Sequence, residues 1–237
     1  MNFTPDTFTE AIPEGIVKEP ILSKERVRLS LIHPPTLGVV LSGGQARRMG
    51  GGDKWRIQIG RFSILDRVLD RLRPQCDNII FNSNSDPAAA PQGLTVVADS
   101  VPDYPGPLAG ILAGLDWAAQ NAPGISWLVS VPGDCPFLPH DLVARLHQAR
   151  NEGNATLACA ESAGRRHPTV ALWPIRLRED LRLAITTERM RAVHQWTARY
   201  PLAVAAWNGA PIDPFFNVNT PEDAAEAAAL AARYPEA

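Results

Sequence analysis

The sequence predicts an α/β fold: three layers, with a mainly parallel twisted sheet covered by helices on both faces. Three observations lead there. The run Leu37 to Leu41 is apolar and β-branched, the composition of a strand buried on both faces. Short apolar runs then alternate with amphipathic stretches to the end of the chain, as strands joined by crossover helices do. Several of those runs also end in polar or glycine-rich segments, at Ser42, Asn82, Asp99, Asp134 and Asn217. In an open parallel sheet, ligands bind beyond the carboxyl ends of the strands.

The elements follow in order. Residues 1–35 carry Pro5, Pro13, Pro20, Pro34 and Pro35 with little periodicity, and read as an N-terminal extension that lies on the domain or is partly disordered. A single domain, 36–237, follows. After the first strand and its glycine-rich loop comes a short strand around Arg56 to Gly60. Ser63 then caps a helix whose apolar positions are 64, 65, 68, 69 and 72, and Pro74 stops it. Strands are expected at Asn78 to Phe81 and Leu94 to Ala98, and a helix at Leu108 to Gln120. Another strand, Ser126 to Val131, precedes a helix at about His140 to Arg150. Strands near Ala155 to Ala160 and Thr169 to Trp173 bracket a polar turn, Ser162 to His167. Two helical stretches fall between Ile175 and Arg199, and a strand lies near Leu202 to Trp207. The chain closes with a strand carrying Asn217 and Asn219, then an alanine-rich helix from Pro221 to about Arg233, capped by Thr220 with Asp223 three residues on.

Composition narrows the function classes. A chain of 237 residues, 45% hydrophobic and 20% charged, can bury one sizeable α/β core. A net charge of −2 lacks the basic excess of a general nucleic-acid binder. Any polyanion must therefore be met by local cations. No apolar run approaches the ~20 residues needed to cross a bilayer, and the first residues lack a basic region and an apolar core. The expectation is a cytoplasmic protein without membrane or nucleic-acid partners. Cys76, Cys135 and Cys159 have no paired spacing and read as reduced thiols, with Cys135 a small buried filler. His33, His140, His147 and His194 have no cluster spacing and read as surface or helix residues.

The segment after the first strand carries the strongest chemical signal. Gly43, Gly44, Ala46, Gly50, Gly51 and Gly52 leave much of the loop without bulky side chains, and Arg47, Arg48 and Lys54 stand among them. Such a loop lets main-chain N–H groups approach a phosphate closely and surrounds it with positive charge. Spacing excludes two familiar phosphate loops. A Walker A loop needs Ser or Thr after its lysine, but Trp55 follows Lys54. Gly43-Gly44 does not fit the dinucleotide fingerprint either.

Asp134 is delivered to a strand end by Trp127 to Val131 and stiffened by Pro132, Pro136 and Pro139. A carboxylate there suits Mg²⁺, which takes one or two carboxylates plus phosphate oxygens; the plainer reading is a turn aspartate bonded to backbone. Asn82 and Asp99 are each equally well explained as turn residues. Asn217 and Asn219 lie two apart, so their amides share one face. Arg165-Arg166-His167 reads either as a receiver of an anion or as a solvated turn.

Several of these segments together resemble the molybdenum cofactor guanylyltransferases. The residues that carry the resemblance are Leu41-Ser42-Gly43-Gly44, Arg48-Met49-Gly50-Gly51 with Asp53-Lys54, the segment Pro105 to Gly110, Gly133-Asp134 with Pro136, and Asn217-Val-Asn-Thr-Pro-Glu222. Ser42 in place of alanine and one extra glycine are the departures in the first motif. The resemblance spans about Thr36 to Tyr234. It implies a Rossmann-like nucleotidyltransferase fold and transfer of GMP from GTP to molybdopterin, giving the guanine dinucleotide cofactor and pyrophosphate. It implies nucleotide contacts at Leu41, Ser42, Gly43, Gly44, Lys54, Asn82, Asp99 and Asp134, with Asn217 and Asn219 on the pterin side. Mg²⁺ on Asp134, Lys54 and Arg48 then make the catalytic set. Transient contact with proteins that supply molybdopterin or mature molybdoenzymes is implied too. The rivals are a related transferase using CTP or a sugar phosphate, and a carrier protein that binds without turnover.

Overall fold

The computed structural model describes residues 33–42, 54–85, 91–101 and 106–235. The glycine-rich loop, including Gly43, Gly44 and Arg48, lies outside the described residues, as do most of the N-terminal extension and Pro105.

Nine strands are described: β1 Thr36–Leu41, β2 Gln58–Ile59, β3 Phe62–Ser63, β4 Asn78–Asn82, β5 Thr95–Val97, β6 Trp127–Pro132, β7 Leu157–Ser162, β8 Arg165–Pro174 and β9 Leu202–Trp207. The helices are α1 Ile64–Leu72, α2 Pro107–Asn121, α3 Leu142–Glu152, α4 Arg178–Thr186, α5 Val193–Thr197 and α6 Pro221–Arg233. Seven strands form one sheet in the order β5-β4-β1-β6-β8-β7-β9; β2 and β3 pair separately. All neighbouring pairs are parallel except those made by β8, which runs against both β6 and β7.

Every residue of β1 is buried. Its side chains split by parity: Val40 joins the core under α1, α3 and α6, while Leu37, Val39 and Leu41 join the core under α2, α4 and α5. Each aliphatic side chain so buried contributes about 1.5–3 kcal/mol. That double burial is why this strand reads as continuously apolar.

The chain leaves β1 toward β4 on one side and later returns to β6 on the other, so β1 is where the strand order reverses. A crevice opens at the carboxyl end of such a strand. Helix α2 presses tightly against this region through two glycines four residues apart. A Cβ on Gly110 would stand 2.1 Å from Asn82 Oδ1, and one on Gly114 would stand 2.7 Å from Leu128.

Most elements lie where the sequence places them: Thr220 and Asp223 form the expected capping box, and the Ser63 cap is part of another, completed by Asp66. Three expectations are corrected. The polar turn of 162–167 is much shorter: only Ala163 and Gly164 turn, both at positive φ (46° and 76°), and Arg165 to His167 already belong to β8. Both central residues at positive φ match the right-handed twist of the flanking strands. The segment around Asn217 and Asn219 is not a strand. Asp213 O accepts from Phe216 N (3.1 Å) in a turn, and Val218 N bonds to Asp134 O (2.9 Å) rather than to a neighbouring strand. Finally, His33 is neither a surface nor a helix residue. It is buried and stacks, with ring centroids 5.1 Å apart, on His147, which lies on α3 as a helix residue, is buried there and stands 2.8 Å from Thr36 Oγ1.

Candidate active site

The carboxyl ends of β1, β4, β5 and β6 form the rim of the crevice. Two groups of side chains stand on it, one on each side of β1.

The first group follows β4 and β5. Asn82, almost fully buried, donates from Nδ2 to Val97 O (3.1 Å) and Asp99 Oδ1 (2.9 Å). Asn84 donates to Asp99 Oδ2 (2.7 Å) and accepts from Asp99 N (2.8 Å). Ser42 ties this wall to β1, since both its N–H (3.0 Å) and its Oγ (2.7 Å) donate to Asn82 O. The Asp99 carboxylate is thus aimed by two amides while each oxygen keeps lone-pair capacity for a donor from outside. Sequence reasoning passed over Asn84. Its signal was present: it repeats, two residues after Asn82, the spacing that drew notice to Asn217 and Asn219.

The second group gathers around the turn after β6. Gly133 N donates to Leu41 O (2.9 Å), which fixes the turn beside the end of β1. Asn217 Nδ2 donates to Asp134 Oδ1 (3.2 Å), and Lys54 Nζ lies 3.8 Å from Asp134 Oδ2. Lys54, at the head of a short 3₁₀ turn (Lys54–Arg56), also donates to Asn219 Oδ1 (2.8 Å). Trp55 anchors that turn by setting its ring edge-on to Phe81, with centroids 5.6 Å apart. Asn217 and Asn219 stay exposed while Val218 is fully buried, so the alternation expected of a strand survives without one.

Burial pushes the Asp134 carboxyl above its ordinary range; the Lys54 charge and a hydrogen bond from its own backbone pull it back only in part. The cause is plain: one ammonium at 3.8 Å compensates incompletely for the water lost. A hard cation would relieve that deficit, and every candidate donor from Asp134, Asn217 and Asn219 is oxygen, which suits Mg²⁺. Among the described residues no cluster of three His, Cys, Asp or Glu side chains could hold a metal by itself. That is compatible with an ion held by one carboxylate and substrate phosphates.

Cys135 is buried, as expected, and its thiol is pushed well up, chiefly by desolvation and then by Asp134 and Asp213. It is no thiolate nucleophile. The Arg-Arg-His segment divides: Arg165 and Arg166 are exposed, with Arg166 3.8 Å from Glu161, whereas His167 is buried.

A mostly parallel sheet whose strand order reverses at β1, with a polar wall on one flank and a lysine–aspartate pair on the other, suits a nucleotidyltransferase. Solved structures agree on the fold. The molybdopterin-guanine dinucleotide biosynthesis protein A of Archaeoglobus fulgidus superposes with a TM-score of 0.64 at 20% identity, covering 84% of this chain and 99% of that one. The 2-C-methyl-D-erythritol 4-phosphate cytidylyltransferase of Thermus thermophilus gives 0.60 at 18%, covering 84% and 100%. Residues 38–202 match the MobA-like NTP transferase domain. The chain is 59% identical over 200 residues to the molybdenum cofactor guanylyltransferase of Nitrobacter hamburgensis, covering 84% of this chain and 96% of that protein. Against the enzyme of the same name from Mesorhizobium japonicum it is 46% identical over 197 residues, covering 81% and 94%. The chain belongs to the molybdenum cofactor guanylyltransferase family of MobA-like NTP transferases.

Proposed function

We propose that this chain transfers GMP from GTP to molybdopterin, releasing pyrophosphate and forming the molybdopterin guanine dinucleotide cofactor. The observation that carries this reading is the convergence of Lys54, Asp134, Asn217 and Asn219 beside the end of β1, with the Asn82–Asp99 wall on its other flank. The family membership supports the choice of both substrates.

An oxygen of the molybdopterin phosphate attacks the α-phosphorus of GTP. A P–O–P bond forms, the bond between the α-phosphorus and its bridging oxygen breaks, and pyrophosphate leaves with that oxygen. A phosphate monoester has a second pKa of about 6, so the nucleophile is already deprotonated and needs no general base. The difficulty is charge, since an anion must approach an anionic phosphate. Catalysis therefore consists of neutralisation and alignment.

Lys54 places its ammonium where charge accumulates, with Arg48 assisting from the glycine-rich loop. Gly43 and Gly44 offer main-chain N–H groups to the phosphates, and Leu41 and Ser42 set the start of that loop. Asp99, aimed by Asn82, accepts from the N1–H and exocyclic amine of guanine. Asn217 and Asn219 orient the pterin substrate. Asp134 would hold Mg²⁺, which would supply further positive charge to the reacting phosphates. In this reading the partners are GTP and molybdopterin, with transient contact with proteins that supply molybdopterin or mature molybdoenzymes, in the cytoplasm. No described helix is long and apolar enough to cross a membrane.

The test is pyrophosphate release by the purified protein with GTP, CTP, ATP or UTP, each with and without molybdopterin and Mg²⁺. Release is expected only with GTP, molybdopterin and the metal together. A preference for CTP would replace the guanine assignment, and binding without release would indicate a carrier.

A further inference from the structure

The reversed direction of β8 brings its first residues to the same edge of the sheet as Asp134. There a second polar network lies under the segment that carries Asn217 and Asn219. Ser162 and His167 are 1% and 9% exposed. Ser162 Oγ lies 2.7 Å from His167 Nε2 and 2.7 Å from Asp213 Oδ1. A hydroxyl has one proton and an ionised carboxylate only accepts, so Ser162 donates to Asp213 and His167 donates from Nε2 to Ser162. Asp213 Oδ1 also accepts from Phe215 N (2.9 Å).

From there the order passes along the chain. The Phe215 ring lies 4.8 Å from the His167 ring, and Trp207 meets it edge-on at 5.4 Å. Beyond it, Cys135 Sγ sits 3.5 Å from Asn217 Oδ1, and Val218 N is held by Asp134 O at 2.9 Å. The trio is not a nucleophilic one. The serine oxygen is sealed from solvent and its proton is committed to Asp213, so histidine is no base toward it.

We propose that Ser162, His167 and Asp213 are positioning residues that hold segment 213–219 against the turn after β6 and so set the direction in which Asn217 and Asn219 meet the second substrate. The substrate half of this inference rests on the transfer reaction proposed above. The network supplies stiffness that a segment without strand partners otherwise lacks. Removing Ser162 Oγ leaves the buried His167 Nε2–H without this partner and Asp213 Oδ1 with only its bond from Phe215 N, which costs far more than an exposed hydrogen bond.

The experiment combines hydrogen-exchange mass spectrometry with steady-state kinetics on the full chain and on Ser162→Ala, His167→Leu and His167→Gln. Ser162→Ala and His167→Leu should speed exchange in 213–219 about tenfold and raise KM for molybdopterin about tenfold, with KM for GTP within about twofold. His167→Gln retains a side-chain N–H donor and should stay near wild type. Unchanged exchange in 213–219 would overturn the proposal, and so would an increase shared equally with 78–84, or equal changes in both KM values. Absence of turnover in the wild type would instead overturn the transfer reading and the substrate half with it. The exchange pattern would still decide whether the network holds the segment.

Discussion

The two flanks of the crevice are built by opposite means. The Asn82–Asp99 wall is local. Its side-chain partners lie 15 and 17 residues apart, and main-chain carbonyls of β4 and β5 take part in it. The Lys54–Asp134–Asn219 group is assembled over long range, with separations of 83 and 165 residues between its hydrogen-bonded partners. Its central carboxyl is also pushed up by burial. The difference suits the roles proposed for the two flanks. A neutral base is recognised best by fixed donors and acceptors. A reacting phosphate needs charges that the folded chain has gathered but not yet fully neutralised.

Breaking the long-range flank should have the largest effect. Asp134→Ala is expected to abolish metal-dependent pyrophosphate release, and Lys54→Ala to lower kcat by about 10²–10³, the range for loss of one charge-stabilising group. Normal turnover in either purified variant would remove that flank from the chemistry. On the local flank, Asp99→Asn should lower kcat/KM for GTP by about a hundredfold while disturbing kcat with bound nucleotide much less, since a lost base contact acts on recognition. Competition between GTP and other triphosphates reads this directly.

Gly110→Ala sharpens the comparison from behind the wall. The added methyl would stand 2.1 Å from Asn82 Oδ1 and 2.9 Å from Leu41 Cδ2, so the buried amide must move. Overpacking of this kind costs about 1–3 kcal/mol, read as a lower thermal midpoint. KM for GTP should rise severalfold with it, while the lysine–aspartate flank keeps its kcat.

The smallest effect at neutral pH belongs to neither flank. Burial lowers the His147 imidazole from 6.5 to about 3, with His33 and Arg150 adding repulsion. The unfolded chain therefore takes up a proton that the folded chain refuses. The associated stability is present above about pH 6.5 and is lost as pH falls toward about 3. His147→Leu should flatten the dependence of the melting midpoint on pH across that window. An unchanged acid slope would place the sensitivity elsewhere.

Much of this was legible in the sequence, and for identifiable reasons. A strand buried on both faces cannot hide its composition, so β1 stood out, and the apolar run before Asp134 marked a strand end. Helix caps declare themselves by residue type and spacing, as Ser63 and Thr220 did. The failures share a cause. The reversal of β8 between two parallel neighbours depends on pairing between distant segments. So does the burial of His147, a polar residue on α3 that meets His33 and Thr36 only once the sheet has formed. Ala163 gave no hint of positive φ, because the twist of the paired strands imposes it. Asn217 and Asn219 share a face as expected, yet what holds them is the turn after β6 and not a strand ladder.

The central claim is that one nucleotide spans both flanks, with its base on the local wall and its α-phosphate at the long-range group. A crystal structure with a non-hydrolysable GTP analogue and Mg²⁺ tests it most directly. The account predicts the guanine edge within hydrogen-bond distance of Asp99, and the α-phosphate beside Lys54 with the ion on Asp134. A base bound away from Asp99, or an Asp134 carboxylate turned into bulk water with the triphosphate elsewhere, would contradict it.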